Sequence, residues 1–270
     1  MGAPPPRSVL RRYLLRKNAL RKASQRIRRL LRHGARSPVG DLQGLFPAPP
    51  GTVFDVGANA GYVTNDFHKA WPSARIVAFE PTPQTFEDLQ RNVGDLPGVE
   101  LVRTAVCDTD GTVQLRVDQA THLGGSNSLL PHSAEFSLTA PHASYTSVDV
   151  PAITLDTFCE ERGIDHVDLL KIDVEGAEPL VLAGAGKLLA RGDIDVILSE
   201  VRLVRSYEGQ LLLHELTTLL AEHGFRPYTI YPFSESAIGQ GRWGDAIFLS
   251  APFRTRLVAH RGAQACGFYD

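Results

Sequence analysis

The chain has 270 residues, 43% hydrophobic and 21% charged, which is ample for a globular core in one large domain or two small ones. Its three cysteines, Cys107, Cys159 and Cys266, are scattered; they define no disulfide framework or zinc cluster and suit a reducing compartment. The net charge of −2 hides an asymmetry: residues 1–40 carry 12 Lys/Arg and no acid, leaving 16 basic and 30 acidic groups on the remainder, which speaks against nucleic acid as the substrate of that body.

Residues 9–32 form a basic, potentially helical segment with an imperfect apolar face at Leu10, Leu14, Leu20, Ile27 and Leu31. It lacks the apolar core of a secretory signal, and no run in the chain approaches the roughly 18 apolar residues of a membrane span. A peripheral membrane contact, a protein contact, a transit peptide and a solubilising arm all fit it. The expected location is cytoplasmic, with peripheral membrane attachment as a variant. Residues 33–50 read as a Gly/Pro linker holding a small apolar cluster, Leu42, Leu45 and Phe46, that could pack on the body. The expected organisation is an extension over 1–50, a domain over 51–250 and a tail over 251–270.

The domain opens on Thr52–Gly61, TVFDVGANAG. Thr52–Val56 predicts a short buried strand, Gly57–Gly61 a small-residue turn, and Tyr62 to about Ala70 a helix. A strand, turn and helix in that order make a cofactor cradle at the carboxyl end of a parallel strand. The spacing is G-x-N-x-G, not the G-x-G-x-x-G dinucleotide fingerprint, and Asp55 inside the strand disfavours a phosphate. A ligand with cationic or hydroxyl groups fits better; a structural turn with Asp55 capping local amides is the alternative. Arg75–Phe79 predicts a second strand, ended by Glu80, 23 positions after Gly57. An acid there can accept hydrogen bonds from both hydroxyls of a ribose.

A helix is expected over Pro83–Asn92, with Thr82 as its cap, and a third strand over Val99–Val106. Asp108 follows on the same sheet edge, to reach an adenine amino group or to form a turn with Gly111. Thr112–Val117 alternates like a half-exposed strand. Residues 118–145 lose periodicity but are rich in hydroxyls, amides and imidazoles, among them His122, Ser126, Asn127, Ser128 and His132. Such a stretch suits a polyhydroxylated ligand or is a mobile loop.

Extended character resumes over Val148–Leu155, a helix follows to Arg162, and Val167–Asp173 predicts a fourth buried strand. Asp173, Glu175 and Glu178 then crowd three carboxylates into six residues, which repel unless a cation, a proton or a bound hydroxyl relieves them. Glu178 could instead cap the helix expected over Pro179–Ala190. A fifth strand, Ile194–Ser199, a helix, Leu211–His223, and a terminal strand pair complete the domain. Trp243, between the last two strands, could line a substrate pocket or cover the sheet end.

VFDVGANAGY, AFEPTPQTFEDLQRNV and LLKIDVEGAEPLVLAGA together resemble the FkbM-type S-adenosylmethionine-dependent methyltransferases, over roughly Thr52–Ser250. The resemblance implies an α/β, Rossmann-like class I methyltransferase fold: a mostly parallel seven-stranded sheet, last strand antiparallel, with helices on both faces. It implies S-adenosylmethionine as cofactor and methyl transfer to a hydroxyl of a sugar, glycolipid or other natural-product intermediate. By position, Asp55, Gly57, Asn59, Gly61, Glu80 and Asp108 match the cofactor-binding set. The Gly124–Leu130 segment, with Ser126 and Asn127, matches a loop near cofactor and substrate. Asp173, Glu175 and Glu178 match the D-V-E-G-x-E signature. Asp173 or Glu175 is expected to orient or deprotonate the acceptor, with His122 or His132 as the next candidate base, and Ser126, Asn127, Glu178 and Trp243 to meet the substrate. The same carboxylates could hold a divalent metal, though direct carboxylate catalysis is the preferred expectation. An NAD-linked oxidoreductase and a non-enzymatic scaffold are the rival functions.

Overall fold

The computed structural model describes residues 37–119, 126–134, 136 and 144–267. The basic segment 9–32 and His122 lie outside the described residues. Eight strands form the main sheet: β1 (Thr52–Val56), β2 (Arg75–Phe79), β3 (Val99–Val102), β7 (Val167–Ile172), β8 (Ile194–Arg202), β9 (Arg226–Ile230), β10 (Ser234–Glu235) and β11 (Gly241–Leu249). The order is β10-β11-β8-β7-β1-β2-β3, with β9 also on β11. β3, β2, β1, β7 and β8 are mutually parallel, whereas β11 runs antiparallel to β8 and β9. The sheet is therefore mixed, and the reversed strand lies inside it. β1 is central and buried on both faces, and Asp55 is the one charged residue within it.

A second sheet, unforeseen in the sequence, has three strands: β4 (Ala105–Val106), β5 (Gly111–Asp118) and β6 (Tyr145–Ile153), in the order β4-β6-β5. The third strand expected as one piece thus breaks after Val102, and its last two residues pair with β6. One face of this sheet packs Ala105, Leu115 and Val150 together with Leu129 of the following loop.

Helices α1 (Pro38–Leu45), α2 (Tyr62–Ala70), α3 (Pro83–Val93), α4 (Leu155–Arg162), α5 (Glu178–Ala183), α6 (Gly186–Arg191), α7 (Leu213–Glu222), α8 (Ala251–Arg261) and α9 (Ala263–Cys266) flank the strands. α1 buries Leu42 and Leu45, and Phe46 meets Trp71 and Phe253 edge-on, at centroid distances of 5.7 and 5.3 Å. α8 contributes Phe253 and Leu257 to the same core. The packed body therefore extends past residues 51 and 250, into segments expected to be linker and tail. On the other sheet face, Phe54, Phe79 and Phe158 form a mutually T-shaped trio with centroids 4.9–5.8 Å apart. Each such pair adds about 0.5–1.5 kcal/mol beyond its buried area. That trio anchors β1, β2 and α4 behind the strand ends from which the site is built.

Candidate functional site

β1 ends at Val56, and the chain turns through Gly57 (φ 77°), Asn59 (φ 49°) and Gly61 (φ 79°) into α2. The turn is fastened to β2, since the Gly57 and Ala58 amides both donate to the Phe79 carbonyl at 3.0 and 2.9 Å. A Cβ on Gly57 would lie 2.0 Å from the Asp173 carbonyl oxygen, and one on Gly61 would lie 2.7 Å from Leu89. These glycines are thus required by the approach of the chain to itself, not only by ligand access.

Glu80 follows β2, is almost fully buried, and is aimed by two backbone amides. Asn59 N–H donates to its Oε2 at 3.0 Å and Thr82 N–H to its Oε1 at 2.9 Å. Burial raises its pKa against these hydrogen bonds. Thr82 occupies the N-cap position of α3, but its hydroxyl makes no cap bond; it accepts from Asn127 Nδ2 at 3.1 Å. Asn127 Oδ1 accepts from the Asp118 amide, so this one side chain ties the β5 end to the start of α3.

The turn, Glu80 and the loop after β7 enclose a cavity of about 290 Å³ at the carboxyl edge of the central strands. Gly57, Ala58, Asn59, Glu80, Thr82, Asn127, Lys171, Asp173 and Glu175 are among the residues that line it. Val106, Leu115 and Leu129 of the second sheet close an apolar side. Its size is near the lower end for pockets that take drug-sized ligands. Apolar walls, small turn residues and three carboxylates fit a nucleoside with hydroxyl and cationic groups and fit a polyanion poorly.

Asp55 does not line the cavity. It is fully buried behind the turn, where Thr64 Oγ1 donates to Oδ2 at 2.6 Å and Lys171 Nζ lies 2.9 Å from Oδ1. Its expected ligand contact is replaced by this ion pair, because a strand residue inside the sheet cannot also reach past the turn. Lys171, which sequence reasoning passed over, donates to the Gly57 carbonyl at 2.7 Å and lies 3.7 Å from Asp173 Oδ2. Burial opposes its charge, but Asp55 and Asp173 together hold its pKa above the usual lysine value. The signal was present as a lysine inside the apolar strand VDLLKI, since a buried charge is almost always paired.

The turn after β7 is strained. Glu175 is a non-glycine residue at φ 54° and Gly176 follows at φ 93°. Ser128 Oγ donates to the Glu175 carbonyl at 2.7 Å, and Glu178 Oε1 accepts from the Gly176 and Val174 amides at 3.2 and 3.3 Å. Glu178 therefore serves the turn and is buried away from the cavity, which corrects its expected contact with substrate. The Glu175 side chain accepts at Oε2 from Arg202 Nη2 at 2.6 Å and from Tyr207 Oη at 3.0 Å. Burial lifts its pKa to about 7, partly offset by Arg202 and reinforced by Asp173.

Among the other expected site residues, His132 is wedged beside the rings of Phe136, Tyr145 and Tyr207 at 4.2–4.7 Å and does not line the cavity. Burial lowers its pKa, and its place among the three rings, off the cavity lining, argues against a role as base at the cavity. Asp108 is exposed in the turn before β5, Ser126 is half-buried at the start of its described stretch, and Trp243 is paired in register with Arg202 on β11. None of the three lines the cavity. Asp173, Glu175 and Glu200 offer oxygens all within 4.8 Å of one another, a donor set of the kind a hard divalent cation takes.

The methyltransferase FkbM domain profile matches residues 55–227, more than half of the chain and nearly all of this site. The chain belongs to the FkbM methyltransferase family. It is an S-adenosylmethionine-dependent methyltransferase with a class I-like α/β fold, and the rival assignments as an NAD-linked oxidoreductase or a scaffold fall away. Among its relatives, the 2-O-methyltransferase NoeI of Sinorhizobium fredii is 28% identical over 77% of this chain and 88% of its own length. The 31-O-demethyl-FK506 methyltransferase FkbM of Streptomyces tacrolimicus is 29% identical over 72% of this chain and 76% of its own. The solved methyltransferase FkbM of Methylobacillus flagellatus aligns with a TM-score of 0.48 at 13% identity, over 76% of this chain and 45% of that one. No helix among the described residues is long and apolar enough to cross a membrane.

Proposed function

We propose that the cavity at the end of β1 holds S-adenosylmethionine and that the enzyme methylates a hydroxyl oxygen of a sugar or other natural-product intermediate. The observation that carries this is the juxtaposition, in one cavity, of an aimed carboxylate just after β2 and a carboxylate pair after β7. The names of the two relatives, both O-methyltransferases, support oxygen as the acceptor atom. When bound, the cofactor supplies an electrophilic methyl group on a sulfonium sulfur.

In this reading Glu80 accepts hydrogen bonds from the ribose hydroxyls with the lone pairs that the Asn59 and Thr82 amides leave open. Gly57, Ala58 and Asn59 bring backbone close to the ligand, and Val106, Leu115 and Leu129 exclude water from the base. Asp173, half-exposed beside the turn, holds the cofactor's ammonium group. Glu175 orients the acceptor hydroxyl and takes its proton, for which a carboxyl group titrating near neutrality is well matched. Asp55 acts at one remove, by fixing Lys171 and through it the Gly57 carbonyl.

Titration with S-adenosylhomocysteine, paired with turnover on glycoside and polyhydroxylated acceptors followed by mass spectrometry, tests the assignment. Glu80→Ala and Asp173→Ala should bind S-adenosylhomocysteine less tightly. Glu175→Gln should bind it normally and lose turnover by roughly 10²–10⁴-fold, the range for a lost general base. Normal turnover in the Glu175 variant would remove it from that role.

A further inference from the structure

Asp173, Glu175 and Glu200 come from two strand ends and face one another at less than 4.8 Å. Three carboxylates that close need positive charge; Lys171 lies beside Asp173, and a second cation serves the two glutamates. Arg202, two residues beyond Glu200 and on the same face of β8, donates through Nε to Glu200 Oε2 at 2.9 Å and through Nη2 to Glu175 Oε2 at 2.6 Å. Its Nη1 reaches Ser206 Oγ at 3.3 Å, and its guanidinium lies 5.4 Å from the centre of the Tyr207 ring. Tyr207 is itself locked. Gly176 lies against its ring, where a Cβ would come within 2.5 Å, and Gln210 Oε1 accepts from its amide at 3.0 Å. Every bond to the Glu175 carboxylate among the described residues ends on Oε2. Oε1 is left for another partner on a residue that lines the cavity.

We propose that Arg202 is the resident cation of this acidic wall. It takes the place a divalent metal would fill beside Glu175 and Glu200, while Lys171 lies 3.7 Å from Asp173, and it positions Glu175 by holding one oxygen so that the other meets the acceptor hydroxyl. The proposal rests on the methyl-transfer reading above. Arg202 touches no reacting atom in it, so it is a positioning residue. A planar guanidinium bridges two carboxylates with a rigid fork of donors, whereas an ammonium is a compact point charge on a flexible stem, so Arg202→Lys should be only a partial replacement.

The test uses the full chain as wild type, Arg202→Ala, Arg202→Lys and Glu200→Gln, with two readouts. In the first, chelator-treated wild type keeps full turnover. Arg202→Ala loses about 100-fold in kcat, as expected for a displaced catalytic group. Its S-adenosylhomocysteine affinity stays at the wild-type level, which also shows that it folds. Added guanidinium at sub-denaturing concentration restores part of that loss, and Arg202→Lys falls between the two. In the second, manganese electron paramagnetic resonance finds no ion bound at the cluster in the wild type and a bound ion in Arg202→Ala. Loss of wild-type turnover on chelation, unchanged kcat in Arg202→Ala, or a parallel loss of S-adenosylhomocysteine affinity would overturn the proposal. So would manganese bound by the wild type and released in Glu200→Gln. If the wild type methylates no hydroxyl acceptor, the functional reading fails on its own. The manganese spectra then still decide whether Arg202 fills the cation position.

Discussion

The Asp55–Lys171 pair is the point at which the site is tied to the core. Asp55 is fully buried and Lys171 nearly so, and the lysine also reaches the carbonyl oxygen of Gly57. Removing both charges together could be close to neutral, but removing one leaves the other buried without its partner. Lys171→Met should therefore destabilise the protein by about 3–5 kcal/mol, leaving Thr64 as the remaining side-chain donor to Asp55 among the described residues. Urea unfolding of Lys171→Met and of the double variant Asp55→Asn, Lys171→Met measures this, the double variant recovering much of the loss. Equal losses in both would mean that the two residues do not act as a pair. Asp55 shows the limit of reading residues one at a time. An acid in a buried strand announces a partner, but whether that partner is a ligand in front of the turn or a lysine on the neighbouring strand depends on the β1–β7 register, which places Asp55 opposite Lys171. No local pattern encodes that pairing. Glu80 was legible because it lies at a strand end, where the side chain has only the sheet edge to face.

At the scale of elements, β1, β2, α2 and α4 follow their sequence signals residue by residue, because each is bounded by a glycine, a proline or a sharp loss of apolar character. The helix expected over Pro179–Ala190 is instead two short helices meeting at Gly184. A Cβ on Gly184 would lie 1.9 Å from the Cys107 carbonyl, so the break lets the second sheet approach. That sheet escaped notice because its contacts span long separations: β4 pairs with β6, and the polar stretch between β5 and β6 carries no period. α8 escaped for a different reason. Phe253 and Leu257, its buried residues, make too short an apolar stripe to stand out among its arginines. The turn after β1 makes the firmest prediction at this scale. Gly57→Ala combines a left-handed backbone with a Cβ placed 2.0 Å from a carbonyl oxygen, and backbone there has no side chain to swing aside. The cost should exceed the roughly 1–3 kcal/mol of the conformation alone. It should appear both as a lower melting temperature and as lost S-adenosylhomocysteine binding, because the β7 loop carrying Asp173 has to move. Gly44→Ala, where a Cβ meets nothing within 4 Å and the residue is helical, is the control and should melt near the wild type.

The whole molecule has an acidic body and a buried and a half-exposed titratable group at opposite edges of its sheet, and these shape how stability follows pH. At the edge away from the cavity, His166 Nε2 lies 3.2 Å from Asp195 Oδ2, and this hydrogen bond raises the histidine pKa against its partial burial. Asp168 beside it adds to the rise, and Arg256, which also contacts Asp195, opposes it. A histidine raised on folding contributes stability that is fully present below its unfolded pKa and is lost as pH climbs through the folded value. Glu175, lifted to about 7 by burial, acts in the same direction. Its carboxyl group gives up a proton more readily in the unfolded chain, so the folded state loses ground as pH rises from the ordinary carboxylate range towards neutrality. Asp110 and Glu215 oppose this in acid, because backbone hydrogen bonds from Thr154 and Leu212 lower their pKa values. Their contribution is present above the unfolded carboxylate values and fades as pH falls through the folded ones. The two trends leave a stability maximum near the ordinary carboxylate range, at about pH 4–5. Melting temperature should fall from there towards pH 8, and His166→Asn should flatten the part of that decline above the normal histidine pKa. Because His166 is substantially exposed, the flattening should be modest and should shrink in high salt. A melting temperature that rises steadily from pH 5.5 to pH 8 would show that neither group governs the balance.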